Sequence, residues 1–261
     1  MTNNFDFILD SMIYSFSSAS TYDTCAHGFN LTYISAEDRA TNFFSDFGLL
    51  SHSVLEGYFK GELEIEELAQ YYMDNWTEFV KSPCPPYPQG MEENYYKQGL
   101  SFFENFKFNK DDYDVIFIEE KIDATYHGIN LVVKPDLILK EKSTGKFILI
   151  DYKTAKIKGT KALKEKQIEG YLKQFLLYAN FLYWERDVKI DEIQIWFLRD
   201  QKVEIIPVDP YKIGDVLTWF EETIDAIKNE EEWKPNLSKE NEYFCANLCS
   251  TRKSCKYRNN I

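Results

Sequence analysis

The sequence predicts a mixed α/β fold in which a central mixed β-sheet is flanked by helices. Short apolar runs rich in Ile, Val, Leu and Phe, which are typical of buried strands, recur between residues 115 and 208. Residues 162–186 instead carry apolar side chains at the 3.6-residue spacing of a helix. A further helix begins at Asp209-Pro210 and runs to Lys228, so helices follow strands as they do in α/β domains.

The part of the chain that precedes the first strand is predicted to be helical. The serine-rich start of segment 17–34 suits the beginning of a helix and leads to Cys25. Residues 45–59 are predicted to form a helix in which His52 lies among apolar residues. A lone histidine on such a helix is usually packed or hydrogen-bonded, so this position does not by itself indicate a metal ligand.

A helical insertion is expected over 60–110. Residues 62–108 are rich in aromatic side chains and are interrupted by a proline-rich break at 82–88. The aromatic residues either stack on single-stranded bases or belong to a core that covers one side of the sheet, and their helical spacing favours the core. Cys84 lies between prolines, matches no motif and is expected to be a free thiol.

Six segments are predicted to be strands. The first two are joined by a turn around 126–128, and together with the next two they are expected to supply most of the sheet. The last two form a predicted hairpin around 199–202. The predicted strands are 115–122, 129–133, 136–140, 147–152, 193–198 and 203–208.

The stretch from Asp136 to Lys153 predicts a functional site. Its apolar arms flank a turn centred between Ser143 and Thr144, so Asp136 and Asp151 face each other in an antiparallel hairpin without a bulge. Carboxylates this close repel each other unless a cation lies between them, and Mg²⁺ prefers carboxylate oxygens. Lys153 points to the same face as Asp151, because side chains alternate along a strand.

An acidic pair at the mouth of a solvated hairpin is the alternative interpretation. Against it, both faces of 147–152 are apolar, as in a strand at the middle of a sheet. A charged Asp-x-Lys end to a buried strand is costly unless its groups are paired or bind a metal ion. Glu119 and Glu120 either reach this site or face solvent, and the sequence does not decide between the two.

Composition and charge restrict the class of protein. The chain has 261 residues and a formal net charge of −13, which argues against a general nucleic-acid coat protein. Residues 134–173 nevertheless hold eleven lysines against five acidic residues, and form either a solvated helix face or part of a groove that attracts phosphates. The apolar runs are too short to cross a membrane and the N-terminus lacks a signal-peptide pattern, so a cytoplasmic protein without a membrane partner is expected.

The cysteines predict a second, separate metal site. Cys245, Cys249 and Cys255 lie within eleven residues of a basic segment, where neighbouring cations favour the thiolate form. Three ligands need a fourth, for which Cys25 is the candidate and His27 an alternative. Four thiolates suit a [4Fe–4S] cluster or a structural zinc ion, and their spacing does not separate the two. Free thiols are the remaining alternative.

An ordered set of five motifs resembles those of a known family. Pro135-Asp136 followed by Asp151-Tyr152-Lys153 resembles the signature of the PD-(D/E)XK nuclease superfamily. Gln174-Phe-Leu-Leu-Tyr178 matches the Q-x-x-x-Y motif of the RecB-like branch, and Gly48-Leu-Leu-Ser-His52 resembles the histidine motif of that branch. The cysteines are similar to those of the iron–sulfur subset, which includes phage and CRISPR-associated RecB-like exonucleases.

The resemblance implies a single nuclease domain over 1–261 with a restriction-endonuclease-like core. It also implies an iron–sulfur staple that joins segment 17–34 to segment 240–261, with a [4Fe–4S] cluster in preference to zinc. Two features depart from the family pattern, since Ala26 replaces a proline and three residues instead of two separate the second and third cysteines. The implied cluster ligands are Cys25, Cys245, Cys249 and Cys255.

The resemblance further implies a deoxyribonuclease that depends on Mg²⁺ or Mn²⁺. The implied activity is that of an exonuclease on single-stranded DNA or DNA ends in recombination, repair or CRISPR adaptation, with a helicase, recombinase or CRISPR adaptation protein as partner. A non-cleaving DNA-binding or protein-partner module of a larger complex is the alternative, and the complete Asp, Asp and Lys set argues against it. The implied metal ligands are His52, Asp136, Asp151 and the backbone carbonyl of Tyr152. The implied catalytic residues are Asp136, Asp151, Lys153, Gln174 and Tyr178.

Overall fold

Six α-helices precede the first strand in the computed structural model, which describes residues 5–258. Its mixed sheet with flanking helices confirms the predicted α/β class. In this part of the chain the α-helices are α1 (Asp6–Ser11), α2 (Phe16–Thr24), α3 (Ala26–Phe29), α4 (Phe43–Lys60), α5 (Leu68–Phe79), α6 (Met91–Glu104), α7 (Lys161–Arg186) and α8 (Pro210–Lys228). The strands are β1 (Tyr113–Ile118), β2 (Ile122–Tyr126), β3 (Ile129–Val133), β4 (Leu137–Glu141), β5 (Phe147–Lys153), β6 (Ile190–Phe197) and β7 (Lys202–Pro207).

The chain divides into two compact units. The sheet unit consists of Phe43–Ile122 and Lys134–Pro210. The terminal unit combines Asp123–Val133 with the chain up to Asn42 and the chain from Tyr211 onward. The single domain, the helical insertion and the two cluster-binding segments stay predictions.

A five-stranded sheet forms the centre of the sheet unit, in the order β1–β4–β5–β6–β7. Strands β4 and β5 are an antiparallel hairpin, whereas β5 and β6 are parallel and are connected through α7. The sheet is therefore mixed, and β5 is its middle strand with five consecutive buried residues. This position explains why residues 147–152 are apolar on both faces.

The predicted strand 115–122 is wrong in its extent. The chain leaves β1 after Ile118, and Glu119 adopts a positive φ of 51° before β2 begins at Ile122. The prediction that 129–133 joins the sheet of the hairpin is also wrong, because β2 and β3 form a separate two-stranded sheet. The Glu-Glu-Lys break within the apolar run marks the point at which the two strands separate.

Helices α4, α5 and α6 pack around an aromatic core in the sheet unit. One face of β5, down to Tyr152, belongs to the same core. Ring pairs run through it, such as Phe47 with Tyr95 and Tyr72 with Phe103, each with centroids 5.2 Å apart. The aromatic residues of 62–108 therefore pack in or against this core, as their helical spacing predicts, except for Tyr87 in the proline-rich break, which is exposed.

Helix α7 has two different environments. It begins after Thr160, whose hydroxyl oxygen accepts a hydrogen bond from the Leu163 amide at 3.3 Å. No residue over 161–174 is buried, whereas nearly every residue over 175–182 is buried. The continuous buried stripe predicted along this helix is therefore wrong in its first half, where Ile168, Tyr171 and Leu172 are only half-buried, whereas the second half is surrounded by the core.

The terminal unit contains α8, the β2–β3 hairpin and the N-terminal helices. Tyr14 joins the hairpin through a parallel bridge to Leu131, and its hydroxyl donates to the Leu9 carbonyl at 2.9 Å. Phe29 stacks on Trp233 with ring centroids 5.8 Å apart. None of the described helices has the length and apolar character needed to cross a membrane. Helix α8 buries Val216, Phe220, Thr223, Ile224 and Ile227, whereas the predicted Ile213 and Leu217 are only half-buried.

The close contact between α6 and Tyr72 generates a stability prediction. A Cβ added at Gly99 would lie 2.4 Å from the hydroxyl oxygen and 2.7 Å from Cζ of Tyr72, whose ring is fully buried. Gly99→Ala should therefore lower the free energy of unfolding by about 1–3 kcal/mol through overpacking. Gly170→Ala on α7 is the matched control, because nothing lies within 4 Å of its added Cβ. The control should raise the free energy by about 0.5–1 kcal/mol through helix propensity. Urea unfolding followed by tryptophan fluorescence measures both, and shifts of the same sign would contradict this packing.

Candidate functional site

The carboxylates of Asp136 and Asp151 meet at the end of the β4–β5 hairpin. Leu137 pairs with Ile150 in the antiparallel register, so the next two residues along the strands, Asp136 and Asp151, lie opposite each other. Oδ2 of Asp136 accepts a hydrogen bond of 3.0 Å from the Tyr152 amide. The Asp136 carboxylate is therefore fixed to the backbone of the central strand, and neither carboxylate lies at a solvated hairpin mouth.

Lys153 forms an ion pair with Asp151 beside this carboxylate pair. Asp151 is only 4 % exposed, and its Oδ2 lies 2.7 Å from the Lys153 ammonium without accepting a well-directed hydrogen bond. The ammonium also lies over the rings of Tyr171 and Phe175, at 4.8 and 5.4 Å. Burial lowers the pKa of Lys153, but Asp151 and Asp136 raise it above its ordinary value. Lys153 is therefore a half-buried cation whose buried carboxylate partner retains unused acceptor capacity.

His52 extends from α4 to the two carboxylates. Its Nε2 lies 3.1 Å from the carbonyl oxygen of Tyr152. A carbonyl oxygen can only accept, so Nε2 carries a proton and donates it to this bond. Nδ1 then faces Glu119 at 3.4 Å and Asp136 at 3.6 Å. In the neutral imidazole the lone pair of Nδ1 points toward both carboxylates, which suits a cation shared among the three groups.

Glu119, which the sequence left undecided, belongs to this group. Its positive φ turns the chain at the end of β1, and its amide donates to the Asp136 carbonyl at 3.0 Å. Its carboxylate also forms an ion pair with Lys134. Burial raises the pKa of Glu119, but His52 and Lys134 outweigh burial and lower it below its ordinary value. Glu120 instead forms an ion pair with an arginine and does not join the group.

These charges shift each other's pKa values. Burial raises the pKa of Asp136 to about 7, and repulsion from Asp151 acts in the same direction. Burial alone would lower the pKa of His52, but Glu119, Asp136 and Asp151 raise it. Both shifts favour protonation of the two groups, which relieves the repulsion between the carboxylates, and a divalent cation would serve the same purpose.

The residues present fit a divalent metal ion. One ligand atom each of His52, Glu119 and Asp136 lies within 4.8 Å of the other two. Carboxylate oxygens with one imidazole suit Mn²⁺ and Mg²⁺, and Asp151 adds a buried oxygen with no hydrogen bond. This group of possible ligands includes Glu119, which is not among the metal ligands predicted from the sequence. The predicted Tyr152 carbonyl is hydrogen-bonded to His52 in this structure.

Gln174 and Tyr178 lie side by side on α7. The Gln174 amide donates to the Tyr178 hydroxyl at 3.0 Å. Burial raises the pKa of Tyr178, and the charges of Asp151 and Asp136 reinforce the effect while Lys153 opposes it. The pair therefore lies within electrostatic range of the carboxylates, and its role toward a substrate stays a prediction.

Four cysteines of the terminal unit line one small pocket. The Sγ atom of the first, between α2 and α3, accepts hydrogen bonds from the Gly28 and Asn236 amides at 3.3 and 3.4 Å. The other three lie at the C-terminal π-helical turn and beyond it. Within this unit the two ends of the chain therefore meet at the predicted thiol site. The four cysteines, all free thiols, are Cys25, Cys245, Cys249 and Cys255.

The wall of this pocket contains an unused imidazole nitrogen. Nε2 of His27 is buried and has no hydrogen-bond partner within residues 5–258. Burial and the charge of Lys256 lower the pKa of His27, so its ring is neutral at pH 7. Burial and the other three thiols raise the pKa of Cys245. The His27 nitrogen and the cysteine sulfurs fit a bound cation or cluster. Binding would give the buried nitrogen a partner and stabilise the thiolate form of Cys245. Cys84 packs against the core of the sheet unit as a free thiol, as expected.

Comparisons with known proteins indicate the family of this chain. The family model described as the PD-(D/E)XK nuclease superfamily matches residues 13–256. No curated protein matches the sequence. Among solved structures, the chain is similar to the "Crystal structure of SSO0001", with 14% sequence identity, a TM-score of 0.35, and coverage of 89% of this chain and 95% of that chain. A structural similarity of this size supports no statement about function.

The family match includes the hairpin that carries Asp136, Asp151 and Lys153. Members of this superfamily are generally metal-dependent nucleases. The RecB-like iron–sulfur branch stays a prediction. Because the match extends over nearly the whole sequence, the chain belongs to the PD-(D/E)XK nuclease superfamily.

Proposed function

We propose that the protein is a DNA nuclease that uses Mg²⁺ or Mn²⁺. The observation that carries this proposal is the convergence of Asp136, Asp151, Lys153, His52 and Glu119 at the end of the central strand. Buried charges of both signs are costly unless further ions neutralise them. A divalent cation and the phosphate of a nucleic acid supply those ions, and the complete set of charged groups favours cleavage over a non-cleaving module.

Each side chain of the group has a role in this proposal. Nδ1 of His52 and the carboxylates of Glu119 and Asp136 would hold the metal ion, and Asp151 adds a further oxygen. A bound ion of this kind lowers the pKa of a water molecule and stabilises negative charge on a phosphate. Lys153 holds its ammonium beside these carboxylates, where it attracts the phosphate and stabilises charge that develops during cleavage.

Gln174 and Tyr178 would orient the substrate strand. The Tyr178 hydroxyl accepts a hydrogen bond from Gln174, so its own proton is available to a phosphate oxygen. The Tyr152 carbonyl would become a metal ligand only after loss of its hydrogen bond to His52. The RecB-like resemblance supports exonuclease action on single-stranded DNA or DNA ends, with a role in recombination, repair or CRISPR adaptation beside a helicase, recombinase or adaptation protein.

The four-cysteine pocket is proposed to hold a [4Fe–4S] cluster that joins the N- and C-terminal segments. The RecB-like resemblance favours a cluster over a single zinc ion, and binding would add its free energy to that of folding.

Loss of either the Asp136 carboxylate or the Lys153 ammonium should nearly abolish cleavage. Asp136→Asn removes a metal-binding carboxylate and Lys153→Met removes the ammonium, so each should lower the cleavage rate by at least about 100-fold. Release of label from 5′- and 3′-labelled single-stranded and duplex DNA, with Mg²⁺, Mn²⁺ or EDTA, measures the rate and separates exonuclease from endonuclease action. Lys146→Met, at the exposed turn of the same hairpin, is the matched control and should cleave normally.

Full activity in Asp136→Asn or Lys153→Met would mean that the site is assigned wrongly. A parent protein that binds DNA but does not cleave it with either metal ion would contradict the nuclease proposal. That result would favour the non-cleaving module instead.

Metal binding should depend on the proton of Asp136, whose pKa is raised to about 7. Below that pH the metal competes with the proton, so Mn²⁺ should raise the unfolding temperature more at pH 8 than at pH 6. Glu119→Gln should reduce this rise, and Glu120→Gln should not. A rise that is independent of pH would contradict the role of Asp136.

Without added metal, the stability of the protein should change with pH in the opposite direction. The pKa of Asp136 is raised from 3.8 to about 7, so the unfolded chain loses this proton first. The free energy of unfolding should therefore fall as the pH increases from 3.8 to about 7, and this contribution should be absent in Asp136→Asn.

Loss of a cluster ligand should destabilise the terminal unit. Anaerobically purified protein should contain about four irons per chain, as a cubane cluster requires. Cys249→Ser should lose iron and lower the unfolding temperature, because a bound cluster contributes to folding. Cys84→Ser is the matched control and should retain the iron. One zinc per chain, or a Cys249→Ser variant that melts like the parent, would contradict the cluster proposal.

A further inference from the structure

A second Gln-x-x-x-Tyr pair lies seven residues before the first on α7. Gln167 and Tyr171 have the same spacing as Gln174 and Tyr178, and the four positions follow one face of the helix. In each pair the glutamine Nε2 lies near the tyrosine hydroxyl, at 3.5 Å for Gln167 and Tyr171 and at 3.0 Å for Gln174 and Tyr178. Gln174 and Tyr178 lie near the carboxylates, whereas Gln167 contacts a loop.

Gln167 binds the backbone of loop 154–160, which connects β5 to α7. Its Oε1 accepts a hydrogen bond from the Lys158 amide at 2.9 Å. Its Nε2 donates to the Lys156 carbonyl at 2.9 Å. One side chain therefore satisfies a donor and an acceptor of the loop two residues apart, and this fixes the local backbone conformation.

The loop is also held from a second direction and begins at the candidate site. Oδ2 of Asp200 accepts a hydrogen bond of 2.7 Å from the Ile157 amide. The loop follows Lys153 directly, and Lys156 and Lys158 are three and five residues further on. At about 3.3–3.6 Å per residue, both lie within about 18 Å of Lys153, which is the length of a few nucleotides.

The two lysine side chains have no part in these hydrogen bonds. Both side chains are exposed, and within the described chain neither Lys156 nor Lys158 pairs with a carboxylate. Lys153 and Lys164, by contrast, each form an ion pair. In a chain with a net charge of −13, unpaired cations on a fixed backbone suit an anionic ligand.

We infer that loop 154–160 binds the phosphate backbone of the strand that enters the site, and that Gln167 is the positioning residue for Lys156 and Lys158. The identity of the ligand rests on the proposed nuclease function. Lysine contacts to phosphates attract a strand without preference for its bases. A loop that is already fixed in the free protein loses less conformational entropy when the strand binds.

The salt dependence of DNA binding tests this inference without requiring cleavage. Each phosphate contact on a single strand contributes about 0.7 to the slope of log Kd against log salt concentration. Lys156→Gln and Lys158→Gln should each lower the slope by about 0.7, and Gln167→Ala should lower it although both lysines remain. Fluorescence anisotropy of a labelled single-stranded oligodeoxynucleotide measures the slopes. Lys146→Gln removes the same charge at the opposite end of β5 and should leave the slope unchanged.

A variant combination separates positioning from a merely structural role. In the Lys156→Gln/Lys158→Gln background, Gln167→Ala should lower the slope no further, because the groups that it positions are absent. In cleavage assays all three single variants should raise KM and leave kcat unchanged. A Gln167→Ala variant that loses stability but keeps the parent slope would overturn the inference.

The outcomes distinguish this inference from the proposed function. Cleavage by the parent together with unchanged slopes in the lysine variants would overturn the inference alone. DNA binding with the expected slopes but no metal-dependent cleavage would contradict the nuclease proposal and support the loop assignment. Absence of DNA binding by the parent would overturn both.

Discussion

Repulsion between the carboxylates of Asp136 and Asp151 is the constraint on which the candidate site depends. The β4–β5 register sets the two residues opposite each other, and the backbone of a central sheet cannot move to separate them. Burial and this repulsion together raise the pKa of Asp136 to about 7. Lys153 offsets the charge of Asp151, and Nδ1 of His52 faces Asp136. A cation that bound among these groups would relieve a cost that the fold imposes, so burial itself contributes to metal affinity.

Strand β5 connects this charged group to the aromatic core because its side chains alternate between two faces. Asp151 and Lys153 point to the site, and Tyr152 between them packs its ring against Trp196 with centroids 5.7 Å apart. The backbone of the same tyrosine donates to Asp136 and accepts from His52. The Tyr152 ring also contacts the His52 ring edge-on, with centroids 5.4 Å apart, so a change in the core that shifts this ring would move two groups of the site.

Local patterns in the sequence predicted the hairpin, the central strand and α7, because register and helical period depend only on neighbouring residues. They also predicted the group of four cysteines, which line one pocket. The sequence left Glu119 undecided because its position depends on a positive φ that ends β1 and on the side chain of His52, far away in the chain. Separation of β2–β3 from the main sheet, and the exposure of the first half of α7, likewise depend on tertiary packing.

Helix α7 explains how the site and the adjoining loop keep a fixed geometry. Its second half, over 175–182, is surrounded by the core and cannot shift independently of the sheet. Its first half has no buried residue but belongs to the same helix, so Gln167 is held at a set distance from Gln174. Because Gln167 binds the loop that follows Lys153, the loop is connected to the site at both ends, by the chain and by the helix. Such a loop can present lysines to a charged ligand without the disorder that exposed, cationic segments usually have.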